Sequence, residues 1–211
     1  MQTAQQELAT GITNLYLASA EAAAAPLLHR AAAALTATAI IPTEPRPQHL
    51  PVCRHLADAI SHSPSGPLTD IATQFAIVAR TCGWLQNANY VAHPASTDFL
   101  ANYGYVEWLG PDRLLHNTEF RVGMLMLGPS TVYPEHHHPA EEVYHVISGH
   151  ALWSRAGAPW RLEPPGTMIH HAPNVPHATQ TRDAPLLALY CWTGAIQTAA
   201  RLTTVASVCN D

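Results

Sequence analysis

The sequence predicts a mostly β protein, a sandwich or barrel of short strands behind an α-helical N-terminal extension. Three observations predict it. Apolar residues at helical spacing dominate the first half of the chain. Beyond Tyr103, short runs of β-branched, aromatic and aliphatic residues alternate with Gly, Pro and Asn at intervals of roughly 8–12 residues, the rhythm of all-β folds. A chain of 211 residues, 47% apolar and only 12% charged, supplies one ordinary core and not two. The expected division is a helical extension over residues 1–102 packed on a barrel over residues 103–211.

The elements follow in order. Residues 1 to about 40 are rich in Ala, Leu, Gln and Glu, with Leu8, Ile12, Leu15 and Ala18 at helical spacing and no Gly or Pro between Ile12 and Ala25. Two helices are expected, the second opening at Pro26, because proline suits a first helical turn and not an interior one. The four prolines of IPTEPRPQHLP make residues 41–51 a loop. A shorter helix is expected over Val52–Ser61, then a turn at SHSPSGP, then a helical block from Leu68 to Thr81 with Ile71, Phe75 and Val78 on one face. The candidate strands are Tyr105–Leu109, Glu119–Leu127, Glu142–Ile147, His150–Arg155, Trp160–Glu163, Thr167–His171 and Leu186–Trp192, with GHA, AGAP and EPPG as turns between them.

Composition removes several function classes. Ten basic residues, all Arg, face 15 acidic ones, and a net charge of −5 leaves no basic stripe for a phosphate backbone, so no nucleic-acid partner is expected. No stretch reaches about 18 strongly apolar residues, and MQTAQQELAT lacks the features of a signal peptide. A soluble, cytoplasmic protein with no membrane partner is expected. Cys53, Cys82, Cys191 and Cys209 lie far apart without a C-x-x-C pair, which argues against a disulfide framework and a thiolate zinc site. The 14 histidines stand out, and many crowd between Glu135 and His177.

Within PSTVYPEHHHPAEEVYHVISG (129–149), His136 and His138 are two apart, Glu142 is four further on and Tyr144 two beyond that. On extended backbone residues i and i+2 share a face, so His136 and His138 point together, as do Glu142 and Tyr144 on the next strand. Val143 and Ile147 then fall on the opposite face. A carboxylate facing a barrel interior is costly unless paired, and a divalent cation bound by two imidazoles removes that cost. His177, after a Pro-Asn turn, can complete the site from another strand. His170 and His171 compete with it, and alternation sends one of those two inward without saying which.

These residues resemble the cupin superfamily, whose first motif is His-x-His, three or four residues, Glu, six residues and Gly. His136, His138, Glu142 and Gly149 satisfy it. The second motif survives as Pro173-Asn-Val-Pro-His177. The pattern Tyr-x-x-His-x-His-x-x-x-Glu-x-Tyr, with Tyr133 and Tyr144 at its two ends and a last His some thirty residues on, is similar to the cupin dimethylsulfoniopropionate (DMSP) lyases of the DddQ and DddL type. That resemblance implies a double-stranded β-helix or jelly-roll barrel behind N-terminal helices. It implies one divalent transition metal ion (Zn, Fe(II) or Mn) held by His138, Glu142 and His177, joined by His136 or Tyr144, with His137 turned outward. Cupins often dimerise, and no feature of this sequence specifies an interface for a homodimer.

The implied reaction is β-elimination of DMSP to dimethyl sulfide and acrylate. A metal binding the substrate carboxylate stabilises charge as a proton leaves the adjacent carbon, and a phenolate near a divalent cation serves as base. Tyr144 is the first candidate for base and Tyr133 the second, and both also line the substrate. A sulfonium prefers an aromatic face, for which Trp192 is the leading candidate and Trp153, Trp160 and Tyr190 are others. Trp108 and the N-terminal helices are expected to close the barrel mouth. The alternatives are another cupin metalloenzyme, an iron-dependent dioxygenase or an isomerase, and a non-enzymatic small-molecule-binding cupin.

Overall fold

The computed structural model describes residues 2–37, 49–80 and 82–203. The residues of the expected 41–51 loop lie largely outside that set. Among the described residues six α-helices precede the strands: α1 (Gln2–Leu17), α2 (Ala25–Ala37), α3 (Leu56–Ser61), α4 (Pro67–Val78), α5 (Ala88–Ala92) and α6 (Thr97–Ala101). Pro26 and Pro67 sit in the first turns of α2 and α4, where their missing N–H groups cost nothing. The expected Val52–Ser61 helix is in two parts: a 3-10 turn over Pro51–His55 runs into α3, opened by Pro51, the last residue of the expected loop. Helices α5 and α6, five residues each, are too short to show a periodicity. Each starts at a polar cap, the Asn87 side chain accepting from Asn89 N–H and the Ser96 hydroxyl from Phe99 N–H.

The strands are β1 (Tyr103–Gly110), β2 (Leu115–His116), β3 (Phe120–Leu127), β4 (Val132–His137), β5 (Ala140–Ser148), β6 (Ala151–Arg155), β7 (Arg161–Glu163), β8 (Met168–His171), β9 (His177–Thr181), β10 (Leu186–Gly194) and β11 (Arg201–Leu202). They form two sheets, β2-β1-β3-β10-β5-β8 and β11-β4-β9-β6-β7, antiparallel except between β1 and β2. The fold class is the expected one, a mostly β double sheet with N-terminal helices. Strands β4 and β9 were not among the candidates, because β4 carries Pro134 and two histidines and HATQT of β9 is largely polar.

The larger sheet has two buried faces, and alternation assigns its residues. Val143, Ile147, Leu187, Leu189 and Cys191 belong to an apolar cluster with Leu8, Ile12 and Tyr16 of α1, Leu28 of α2 and Phe75 of α4. Tyr144, Val146, Ala188 and Tyr190, between them on the same strands, face the smaller sheet with Tyr133 and Trp153. Helices α1, α2 and α4 therefore cover the outside of the barrel and do not close its mouth. Trp108 goes with them, its ring 6.2 Å from that of Phe75, because Glu107 beside it takes the inward position. Among the described residues no helix is long and apolar enough to cross a membrane.

Candidate metal centre

Strands β4 and β9 pair with His136 opposite His177 and Tyr133 opposite Thr179, so two residues of β4 are matched by only one of β9. This bulge falls at Pro134 and Glu135. It reverses the alternation, and that is why Tyr133 and His136, three apart, both point inward. The ring of Tyr133 stacks on that of His136 at 4.1 Å and 10°. His138 lies just beyond β4, its carbonyl accepting from the N–H of Asn174 at 2.8 Å, where Asn174 takes a left-handed φ of 63° in the turn before β9. On β5, Glu142 is flanked across the ladder by Trp192 of β10 and His171 of β8.

These registers bring five side chains together with almost no exposure: His136 1%, His138 2%, Glu142 1%, His171 1% and His177 1%. One ligand atom from each of His136, His138 and His177 lies within 4.8 Å of the others, and the same holds for Glu142, His171 and His177. The Nδ1–H groups of His136, His138 and His177 donate to the carbonyls of Pro134, Ala140 and Val175, each at 2.9 Å. A carbonyl only accepts, so each ring turns its Nε2 to the centre, an orientation that metal-binding histidines share.

Glu142 Oε2 stands 3.0 Å from His138 Nε2 and 3.3 Å from His177 Nε2. Burial works against the Glu142 charge, but His138 and then His177 outweigh it and hold its carboxyl well below the usual range. Burial likewise opposes the His138 imidazolium, and the Glu142 charge and hydrogen bond outweigh it, raising the pKa. His136, by burial and then by His177, is held well below its ordinary pKa, and His171 is pushed down to about 2 by burial first and His177 second. The other Glu142 oxygen accepts the Trp192 indole N–H at 2.5 Å.

This donor set fits a divalent metal. His177 Nε2 and Glu142 Oε2 face each other at 3.3 Å in this buried centre, an imidazole nitrogen and a carboxylate oxygen, the two kinds of ligand atom that hold such an ion. His177 Nε2 and both ring nitrogens of His171 have no hydrogen-bond partner among the described residues. Imidazole and carboxylate suit Zn, Fe(II) and Mn alike and do not choose among them.

A cavity of about 380 Å³ opens beside the cluster, and Tyr133, Glu142, Tyr144 and Trp192 line it. Burial and then Glu142 hold the Tyr144 phenol above its ordinary pKa, and burial and then Tyr103 do so for Tyr133. Trp192 also lies over His138, ring centres 4.1 Å apart. Tyr190 lines the cavity, while Trp153 is buried against Tyr144 at 5.0 Å. Trp160 is 44% exposed on the approach to β7, where no neighbouring element covers it, so it belongs to the surface and not to the cavity. His137 is half-buried on β4 opposite Arg201.

Sequence reasoning missed the far end of the cavity. There Glu107 Oε1 accepts from Arg113 Nε at 2.7 Å and Arg121 Nη1 at 2.6 Å, and Oε2 from the Tyr190 hydroxyl at 3.0 Å. A charge inside the otherwise apolar YGYVEWLG was the signal for it. It also missed Tyr90 of α5, whose hydroxyl is 3.4 Å from that of Tyr133 and which no pattern marked.

The family model for dimethylsulfoniopropionate lyase matches residues 24–188. DddQ, a dimethylsulfoniopropionate lyase of Ruegeria pomeroyi, is 32% identical over 114 residues, which cover 54% of this chain and 57% of that protein. A putative dimethylsulfoniopropionate lyase of Cereibacter sphaeroides, DddL, is 31% identical over 150 residues, 70% of this chain and 61% of that protein. The chain thus spans about three-fifths of the length of these curated relatives. The crystal structure of Ruegeria pomeroyi DddQ superposes with a TM-score of 0.79 over 96% of this chain and 98% of that one at 24% identity, which shows a shared fold. A second structure, described with the DMSP lyases RdDddP and RnDddQII, gives a TM-score of 0.76 over 96% and 99% of the two chains at 27% identity. With a family match over most of its length and the barrel of those structures, the chain belongs to the dimethylsulfoniopropionate lyase family.

Proposed function

We propose that this chain is a metal-dependent lyase that cleaves DMSP to dimethyl sulfide and acrylate. The observation that carries the proposal is that, in a chain of this family, one cavity lined by two inward tyrosines and an indole reaches Glu142 of a buried imidazole and carboxylate cluster. His136, His138, Glu142 and His177 would hold the ion. A divalent cation there supplies Lewis-acid stabilisation of the negative charge that gathers on the substrate carboxylate as the neighbouring C–H bond breaks.

The protein's own groups do the rest. Tyr144 Oη takes the proton from the carbon next to the carboxylate, the electron pair of that bond forms the double bond, and the C–S pair leaves with sulfur as neutral dimethyl sulfide. Glu142 is the charge that most opposes ionisation of Tyr144 after burial, so offsetting Glu142 is what makes this phenol a usable base. Tyr133, stacked on His136 and bonded to Tyr90, is the second candidate for that role. Trp192 is fixed by its N–H on Glu142, which leaves its ring to face the sulfonium. The buried tyrosine cluster excludes water from the proton transfer.

The test is headspace detection of dimethyl sulfide from the purified chain given DMSP, before and after chelation and reloading. Release that chelation stops and metal restores supports the reading. No release from protein with stoichiometric metal overturns it.

A further inference from the structure

We propose that His171 is a further ligand of this centre, supplying a nitrogen to the ion together with Glu142 and His177. The inference rests on the metal-dependent reading only for the presence of an ion, not for the reaction.

The register of β8 on β5 puts His171 directly across from Glu142, on the face that looks into the barrel. Its ring lies parallel to His177 at 3.9 Å and 11°, and because an imidazole nitrogen donates in the plane of its ring, binding the ion that His177 binds takes a rotation of the His171 ring out of this stack. It is 1% exposed, and neither of its nitrogens has a hydrogen-bond partner among the described residues. A buried imidazole with both nitrogens unpaired is unusual, since buried polar groups are nearly always satisfied. His136, His138 and His177 are each tied by Nδ1 to a backbone carbonyl, and His171 has no such tie. The structural role that explains many buried histidines, a bond to the backbone, is therefore missing here, and a cation shared with Glu142 and His177 supplies the partner.

His177 is then common to two triads of donors, one completed by His136 and His138, the other by Glu142 and His171. Each triad lies beside a different tyrosine. Tyr133 stacks on His136, while Tyr144 meets His171 edge-on, ring centres 6.0 Å apart. An ion held with the help of His171 would have Tyr144, and not Tyr133, as the tyrosine beside its ligands.

The experiment uses the full chain and zinc alone. Zinc affinity is measured by competition with a chromophoric chelator, and the ligand field by the visible spectrum of the cobalt(II)-substituted protein. His171→Phe keeps a ring of similar size on His177, and His170→Gln is the control, because His170 points outward to Glu141 at 2.8 Å. The expected result is a loss of zinc affinity of about tenfold or more in His171→Phe with a changed cobalt spectrum, and neither change in His170→Gln. Wild-type affinity and spectrum in a folded His171→Phe would overturn the proposal. Should that variant not fold, anomalous diffraction at the zinc edge from wild-type crystals decides: an ion within bonding distance of a His171 nitrogen supports it, and an ion bound without His171 overturns it. Failure of the lyase reading looks different, since it is absence of dimethyl sulfide from wild-type protein with zinc fully bound.

Discussion

Strand β5 carries a site on one face and a core on the other. Glu142 and Tyr144 look inward, while Val143, His145 and Ile147 look outward toward the helices. The two faces are equally buried, so burial does not distinguish them. What differs is the company each polar group keeps. Glu142 meets two imidazoles and an indole N–H, an arrangement that a cation completes, whereas His145 Nδ1 meets no partner among the described residues and its ring is simply kept neutral. A buried charge surrounded by convergent donors marks chemistry, and a buried titratable group alone marks a stability cost.

If the comparison holds, inward changes remove activity and spare the fold, and outward changes do the reverse. The largest effect is expected for Glu142→Gln, which should reduce bound zinc and dimethyl sulfide release to background while far-UV circular dichroism stays unchanged. Metal analysis and headspace assay on the same sample check it. Next, Tyr144→Phe should keep stoichiometric metal and lose turnover by about 10²- to 10⁴-fold, the usual range for a general base. Tyr133→Phe run beside it shows which phenol bears the larger share.

On the other face, Ile147→Ala should cost about 2–5 kcal/mol of stability in urea unfolding, with the kcat of the folded fraction unchanged. A fall in kcat that tracks the stability loss would merge the two faces. The smallest effect is one of pH. Burial lowers the His145 pKa from 6.5 to about 4, so as pH falls the unfolded chain takes up a proton first. Stability is then lost between about pH 6.5 and about pH 4, by an amount that approaches roughly 3 kcal/mol. His145→Phe should flatten the acid side of the stability profile, measured by denaturant unfolding at stepped pH.

The same two faces explain how far the sequence was legible. Alternation placed Glu142 with Tyr144 and opposite Val143 because β5 is regular across those residues. It could not place Tyr133 beside His136, because the bulge at Pro134 reverses the parity and leaves no mark beyond a proline. Nor could it choose between His170 and His171, since period two fixes which residues share a face but not which face is inside. Helical spacing found α1, α2 and α4, yet a stripe of apolar residues says only that something covers it, so their docking on the outside of the barrel was out of reach. Glu107 left one mark, a charge inside an apolar strand, but its place in the cavity depends on Tyr190, 83 positions on, and Tyr90 meets Tyr133 43 positions away with no mark at all.

The backbone ties on His136, His138 and His177 have a consequence in time. Those three rings need no rotamer search when an ion arrives, because Pro134, Ala140 and Val175 already hold them. On the metal-dependent reading proposed above, reloading of a stripped protein is expected to be paced by shedding of water from the ion and its passage down the cavity more than by rearrangement of these three rings. The expected result in stopped flow is uptake in a single phase whose rate follows the water-exchange rate of the ion supplied, faster for zinc than for nickel.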